Sequence, residues 1–496
     1  MKNVLLIMVD QVIASTLQVY GGNCRTPNLV RLAEKGVVFN NAYTTVPLCT
    51  PARGSVFTGL YPHKHGLLYN STHAAYGRPE LTNAETMIST PLRRKNYKCC
   101  YIGKWHIGEN MGPRDYGFEG TSFAGYGLPS NYVEDYDVFL KENGHPGLRE
   151  VVARDVIASI DMPSVKFPLG EYPLPEEVRG SEIYGGVVDL PSDLTPAGFV
   201  AKRTMEKIEE HKDDSFFLTA AFWGPHHPAF PSSEFAGLHK AEEIKEWGNF
   251  RDDLEDKPAI QKRYTDSLHK RFNRESWPLW QKVIALHFDF MSMIDAQIGR
   301  ILDSLEAHGI QDETMIIFTS DHGDSLGCHG GIWDKGPYAY DEVCKVPMIA
   351  SGPDIAPRAS NALISNMDIY STILEFCGTD IPANVDSVSF LRVAQGTEES
   401  CRDAVFSHFY GFDRRGLFLQ RGIRMGKYKY VFNPSSIDEF YDLEEDPCEL
   451  KNRINEGRQE LSGLKKRLYV EMKRSEDPYL QFADELMNIR EGNREQ

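Results

Sequence analysis

In the stretch VPLCTPARGSVFTG (residues 46–59), Cys49 stands just ahead of a Thr–Pro pair and Arg53 follows four residues later. A cysteine so placed is a buried thiol, a metal ligand, a thiolate nucleophile or the precursor of another group. Thr50 as N-cap and Pro51 at the first helical position predict a short helix ending near Gly59. Cys49 would then lie at a helix N-terminus, where free N–H groups and the dipole favour anions. Thiolate phosphatase chemistry needs its arginine six residues after the cysteine, but position 55 is Ser55. Taken alone, an isolated cysteine is a small buried hydrophobe.

The bulk sequence bounds the setting. At 496 residues the chain suits one large domain plus a smaller one. A net charge of −17 argues against nucleic acid or an anionic membrane surface as partner, so an anionic substrate needs a locally positive pocket. The nine cysteines are scattered and hold no C-x-x-C pair, which suggests neither a disulfide framework nor a structural zinc site and fits a reducing compartment. The apolar run in MKNVLLIMVDQ stops at Asp10, too short for a leader core or a membrane span, so a cytoplasmic protein with no membrane partner is expected.

The elements that must position the chemistry follow from pattern. Residues 3–9 (NVLLIMV) have the continuous apolar character of a central parallel strand. Further strands are expected at 98–103, 215–223, 314–320 and 346–351, with helices at about 26–35, 195–211 and 279–308 between them. This alternation predicts an α/β fold, a large doubly wound, mostly parallel sheet flanked by helices. Residues 110–195 and 228–277 read as irregular insertions in a domain spanning 1–380, and 378–400 as a linker. A smaller α+β domain over 381–496 would hold FSHFY, KYKYVFN, EFYDL and a helix at about 456–474, with a frayed tail after Asn488. Asp10 closes the first strand, and Asp321 with His322 closes 314–320. Carboxyl ends of neighbouring parallel strands are where open α/β sheets build their sites.

The segment C-T-P-A-R, with T-G five and six residues beyond the arginine, resembles the sulfatase signature C/S-x-P-x-R-x-x-x-x-T-G. The resemblance continues in order through GKWHIG (103–108), PHHP (225–228), SDHGDSLGCHG (320–330), WDKGPYAYDEVCKVP (333–347) and EFYDLEEDPCELKN. It implies an alkaline-phosphatase-like fold with a mixed sheet and a sulfuric ester hydrolase. It further implies that a maturation enzyme oxidises Cys49 to Cα-formylglycine (3-oxoalanine). Asp10, Gln11, Asp321, His322 and the modified Cys49 would then hold one divalent metal, calcium by family. Arg53, Lys104 and Lys335 would meet the sulfuryl oxygens, and His226, helped by His106, would protonate the departing alcohol.

Many sulfatases carry paired aspartates and Asp-Asn, where this chain has Asp10-Gln11 and Asp321-His322. An imidazole and fewer anionic oxygens suit Mn²⁺, Zn²⁺ or Fe²⁺ better than the calcium that the family implies. The same pairs resemble the formylglycine-dependent phosphonate monoester and phosphodiester hydrolases, so that activity is the alternative. A non-catalytic sulfoglycan-binding protein is the alternative of another class. The expected substrates are sulfate esters, or sulfamates, of small molecules or oligosaccharides.

Overall fold

The computed structural model describes residues 2–70, 78–81, 86–108, 110–123, 134–158, 167–168, 183–272, 276–411 and 418–487. NVLLIMVD forms β1 (Asn3–Asp10), buried along its whole length. A strand with no polar face must be covered on both sides. Leu5, Ile7 and Val9 enter one core with the helices Pro196–His211 and Trp277–Ala307. Val4, Leu6 and Met8 enter a second core with the helix Asp368–Phe376. The period of two therefore divides one apolar run between two cores, and each fully buried aliphatic side chain contributes about 1.5–3 kcal/mol.

β2 (Gly36–Tyr43), β3 (Lys98–Lys104) and β4 (Ser122–Phe123) belong to the same sheet as β1. Within the expected insertion 110–195, β5 (Val152–Ala158), β6 (Phe167–Pro168) and β7 (Ile183–Val188) form a separate antiparallel sheet. The remainder of that insertion lies partly outside the described residues. β8 (Phe216–Pro225), β9 (Thr314–Ser320), β10 (Lys345–Val346), β11 (Met348–Ser351) and β12 (Arg358–Ser365) complete the large sheet. Its order is β10-β2-β11-β9-β1-β8-β3-β4, with β12 on β2. From β9 to β4 every pairing is parallel, while β11 runs antiparallel to both β2 and β9.

Three details differ from the expectations drawn from the sequence. The strand expected at 346–351 is interrupted at Pro347, which has no N–H to donate to a ladder. β2 escapes the pattern because Asn40 and Asn41 interrupt its apolar run; their amides donate to Asn361 on the adjacent β12. The stretch 378–400 is not a free linker. Asp386 and Ser387 donate backbone N–H bonds to the Gly59 carbonyl at 2.8 and 3.0 Å, and Phe390 packs edge-on against Phe39.

β13 (Val405–Phe409), β14 (Gln420–Met425), β15 (Tyr428–Phe432) and β16 (Glu439–Asp442) form an antiparallel meander. Helix Glu460–Arg474 covers it through Leu464, Leu468 and Met472. The tail after Asn488 lies outside the described residues. Among the described residues, no helix is long and apolar enough to cross a membrane.

Candidate active site

β1 and β9 run in parallel with Val9 opposite Ser320, so Asp10 and Asp321 emerge together at their carboxyl ends. Helix Cys49–Thr58 aims its first turn at this pair. It starts two residues earlier than expected: Leu48 is the N-cap, Cys49 is already helical, and Gly59 ends the helix in the left-handed region at φ 69°. All of its residues are buried. A Cβ on Gly54 would meet the His65 ring at 2.8 Å, so this position admits little beyond glycine.

Ligand-capable atoms of Asp10, Cys49, Asp321 and His322 lie within 4.8 Å of one another, and all four residues are buried. His322 Nδ1 lies 2.8 Å from the Gly323 carbonyl, which can only accept, so this nitrogen carries the proton. Nε2 then faces into the cluster, 3.1 Å from Cys49 Sγ. The hydrogen bond at Nδ1 orients the ring as a ligating imidazole needs. Two buried carboxylates, a thiol and an oriented imidazole are a donor set that fits a divalent cation.

Arg53, expected to meet the sulfuryl oxygens, is bonded to the cluster itself. Its Nε donates to Asp321 at 2.8 Å, Nη2 to Asp10 at 3.0 Å and Nη1 to the Lys104 carbonyl at 2.9 Å. With its side chain fully buried, the guanidinium clamps the two carboxylates. Lys104 ends β3, bonds Asp10 and lies 4.2 Å above the Trp223 ring. Burial and the nearby Cys49 sulfur push the Asp10 carboxyl up, yet Lys104, His226 and Arg53 together hold it below the usual range. Burial and the neighbouring Asp10 push Asp321 the other way. Burial opposes ionisation of Cys49, but Lys104, Lys335 and His322 draw its thiol well below the ordinary value. Burial lowers His322, while Asp321 and Cys49 lift it to about 9, marking a point where positive charge is favoured. His106, beside Cys49, is held down to about 4 chiefly by burial, and so is neutral near pH 7.

A second group adjoins the cluster. Lys335 Nζ donates to Gln11 Oε1 at 2.8 Å and approaches His226 Nε2 and Asp334 Oδ1, each at 3.1 Å. His226 Nδ1 lies 2.6 Å from the His227 carbonyl, so Nε2 accepts from the lysine. The Gln11 backbone N–H donates to Asp321, but the amide oxygen expected to serve as a metal ligand is engaged by Lys335. An ammonium competes for the same lone pairs as a metal would.

Every residue expected in the site is thus brought to one end of the sheet. Four neighbours carry no mark in the sequence reading. Asn70 accepts from the Thr50 N–H at 3.1 Å and places its amide 4.0 Å from Cys49 Sγ. Trp223, three residues before His226, supplies the ring under Lys104 and packs 4.7 Å from the His226 ring. Asp334 precedes Lys335 and accepts from Gln11 Nε2 at 3.0 Å. Asp324, two residues after His322, is pushed up to about 6 by burial and then by Asp334. The last three adjoin recognisable motifs, whereas nothing in the sequence marks Asn70.

The family model described as sulfatase matches residues 2–379, and that described as N-sulphoglucosamine sulphohydrolase, C-terminal, matches residues 327–477. An arylsulfatase of Clostridium perfringens is 26% identical over 501 residues, covering 96% of this chain and 95% of its own. A protein solved in complex with its substrate D-glucosamine-2-N,6-O-disulfate aligns with a TM-score of 0.72 and 20% identity, over 96% of this chain and 98% of that one. The phosphonate monoester hydrolase of Agrobacterium radiobacter aligns with a TM-score of 0.75 and 23% identity, over 96% of each chain. These two structures share the fold.

Proposed function

This chain belongs to the sulfatase family and is a sulfuric ester hydrolase, and we propose that it removes sulfate from small or oligosaccharide esters through a formylglycine made from Cys49. The observation that carries this is the buried meeting of Cys49 with Asp10, Asp321 and His322 at the start of a helix. A formylglycine hydrate beside a divalent cation supplies a nucleophilic hydroxyl, and its second hydroxyl lets the sulfate depart. Asp10, Asp321 and His322 would hold that cation, and Arg53 fixes the two carboxylates. Lys104 and Lys335 lend positive charge to the sulfuryl oxygens as the bond to sulfur changes hands. The alcohol oxygen leaves sulfur with the bonding electrons and takes a proton from the Lys335–His226 pair, whose hydrogen bond is already formed. His106, neutral, stays beside position 49. The net change is water added across the S–O bond, yielding alcohol and hydrogen sulfate.

Carbohydrate sulfates are the favoured class, by analogy with the sulfated sugar held by the relative described above. A phosphodiester or phosphonate monoester activity is the second reading, favoured by the imidazole of His322 in place of an amide. Maturation requires a formylglycine-generating partner acting on the Cys49 segment. The test is sulfate release from defined sulfated sugars, run beside aryl sulfate and aryl phosphodiester substrates. The active protein should carry a Cys49 peptide lighter by about 18 Da, the change from CH₂SH to CHO at the nucleophile. Cys49→Ser should trap a sulfated enzyme or lose turnover, and repeated turnover near the unsubstituted rate would sink the mechanism.

A further inference from the structure

On the face of the large sheet covered by helix Pro196–His211, we propose that Cys100, Glu119 and His211 form a zinc-binding site separate from the active site. Their sulfur, carboxylate oxygen and ring nitrogen lie within 4.8 Å of one another. Cys100 is in β3, four residues before Lys104, which at strand rise puts it about 13 Å from the catalytic end. The period of two turns Cys100 and Ile102 toward the core shared with that helix, and Tyr101 away from it. His211 is the last residue of the helix. Glu119 is fixed beside Cys100 by backbone pairing: its N–H donates to the Cys99 carbonyl and its carbonyl accepts from the Tyr101 N–H, each at 2.8 Å.

What points to a metal is His211 Nε2. The residue is only 6% exposed, and this atom is buried with no hydrogen-bond partner. The nearest carboxylate oxygens, Glu119 Oε2 at 3.6 Å and Glu210 Oε1 at 3.7 Å, are too far for a good hydrogen bond. They are close to the spacing of about 3.4–3.6 Å between neighbouring ligands on a tetrahedral zinc. Thiol, imidazole and carboxylate together suit a borderline-soft ion, with Glu210 or water completing four ligands. Burial, followed by Glu119, pushes the Cys100 thiol up to about 12, so zinc would displace a proton from the sulfur on binding. Lys207 is the competing cation: its ammonium lies 3.5 Å from Glu119 and 2.7 Å from Glu210. The lysine is partly exposed and can yield Glu119 while keeping Glu210.

The test uses cobalt(II), which takes zinc's place and shows a sulfur-to-metal charge-transfer band only when a thiolate is a ligand. Titration into Cys49→Ala protein removes the active-site sulfur from the measurement. A band saturating at one equivalent and displaced by zinc is expected, with a melting temperature that rises with zinc. Adding Cys100→Ser should abolish the band. Glu119→Gln, at an exposed carboxylate whose loss does not threaten folding, and His211→Ala should each weaken binding at least 10–100-fold, about the cost of losing a metal's supporting partner. Lys207→Ala should tighten it. Absence of the band, its survival in Cys100→Ser, or an affinity unmoved by Glu119→Gln and His211→Ala overturns the site.

Discussion

Replacing Arg53 by methionine keeps much of the side chain's length but removes a cation that touches both carboxylates of the buried cluster. In the native arrangement Nε meets Asp321 at 2.8 Å and Nη2 meets Asp10 at 3.0 Å, with none of the partners exposed. Asp10 would keep Lys104, whereas Asp321 would lose its guanidinium and the Lys104 carbonyl a donor. Removing one partner of a buried pair costs about 3–5 kcal/mol, because the other charge stays behind without compensation. That is roughly two to three and a half powers of ten in the folding equilibrium. A divalent cation would neutralise the same carboxylates, so the deficit should be larger in chelator than in saturating calcium. Urea unfolding of Arg53→Met and the unsubstituted protein, in chelator and in calcium, measures both quantities, and sulfate release is followed on the same samples. Arg53→Lys should fall between them, since it keeps the charge and loses the fork. The clamp assignment is refuted if Arg53→Met unfolds at the unsubstituted midpoint in chelator while turnover is lost. Arg53 would then act on the substrate.

Two further outcomes follow. His65, His106 and His287 are held by burial at about 3, 4 and 3, against an ordinary value of 6.5. Between about pH 4 and 6.5 each of these histidines binds a proton in the unfolded chain and not in the folded one, so each takes stability away as the pH drops, by up to about 1.4 kcal/mol per unit. Asp295, Asp324 and Glu449, held up at about 6, 6 and 7 chiefly by burial, contribute the opposite slope. His322, lifted to about 9, adds no slope in that window. His287→Gln removes one of these contributions, so its unfolding midpoint should fall less than that of the unsubstituted protein from pH 6.5 to 5, and an unchanged difference across that range would contradict this. His226→Ala should lower turnover of alkyl sulfates by about 10²–10⁴-fold and that of activated aryl sulfates much less, because only the poor leaving group needs the proton. Equal losses on both substrates would assign His226 to binding.

What the chain writes locally is legible in its residues alone. The run NVLLIMV can only be a strand covered on both faces, and helix 279–308 and strand 314–320 carry equally clear periods. The signature around Cys49, and the motifs holding Asp10, Lys104, His226, Asp321 and Lys335, name the chemistry because each keeps its residue types at fixed spacing. Contacts between distant segments are not legible in this way. β2 is hidden because its asparagines bond Asn361, more than three hundred residues away. Arg53 is expected at the sulfate, and the crossing of β1, β9 and the Cys49 helix turns it onto Asp10 and Asp321. Gln11 is expected at the metal, and Lys335 engages its amide oxygen. The sequence determines which functional groups the protein owns. Packing decides which partner each group faces, because a guanidinium, an ammonium or an amide bonds whatever complementary atom the fold brings within about 3 Å of it.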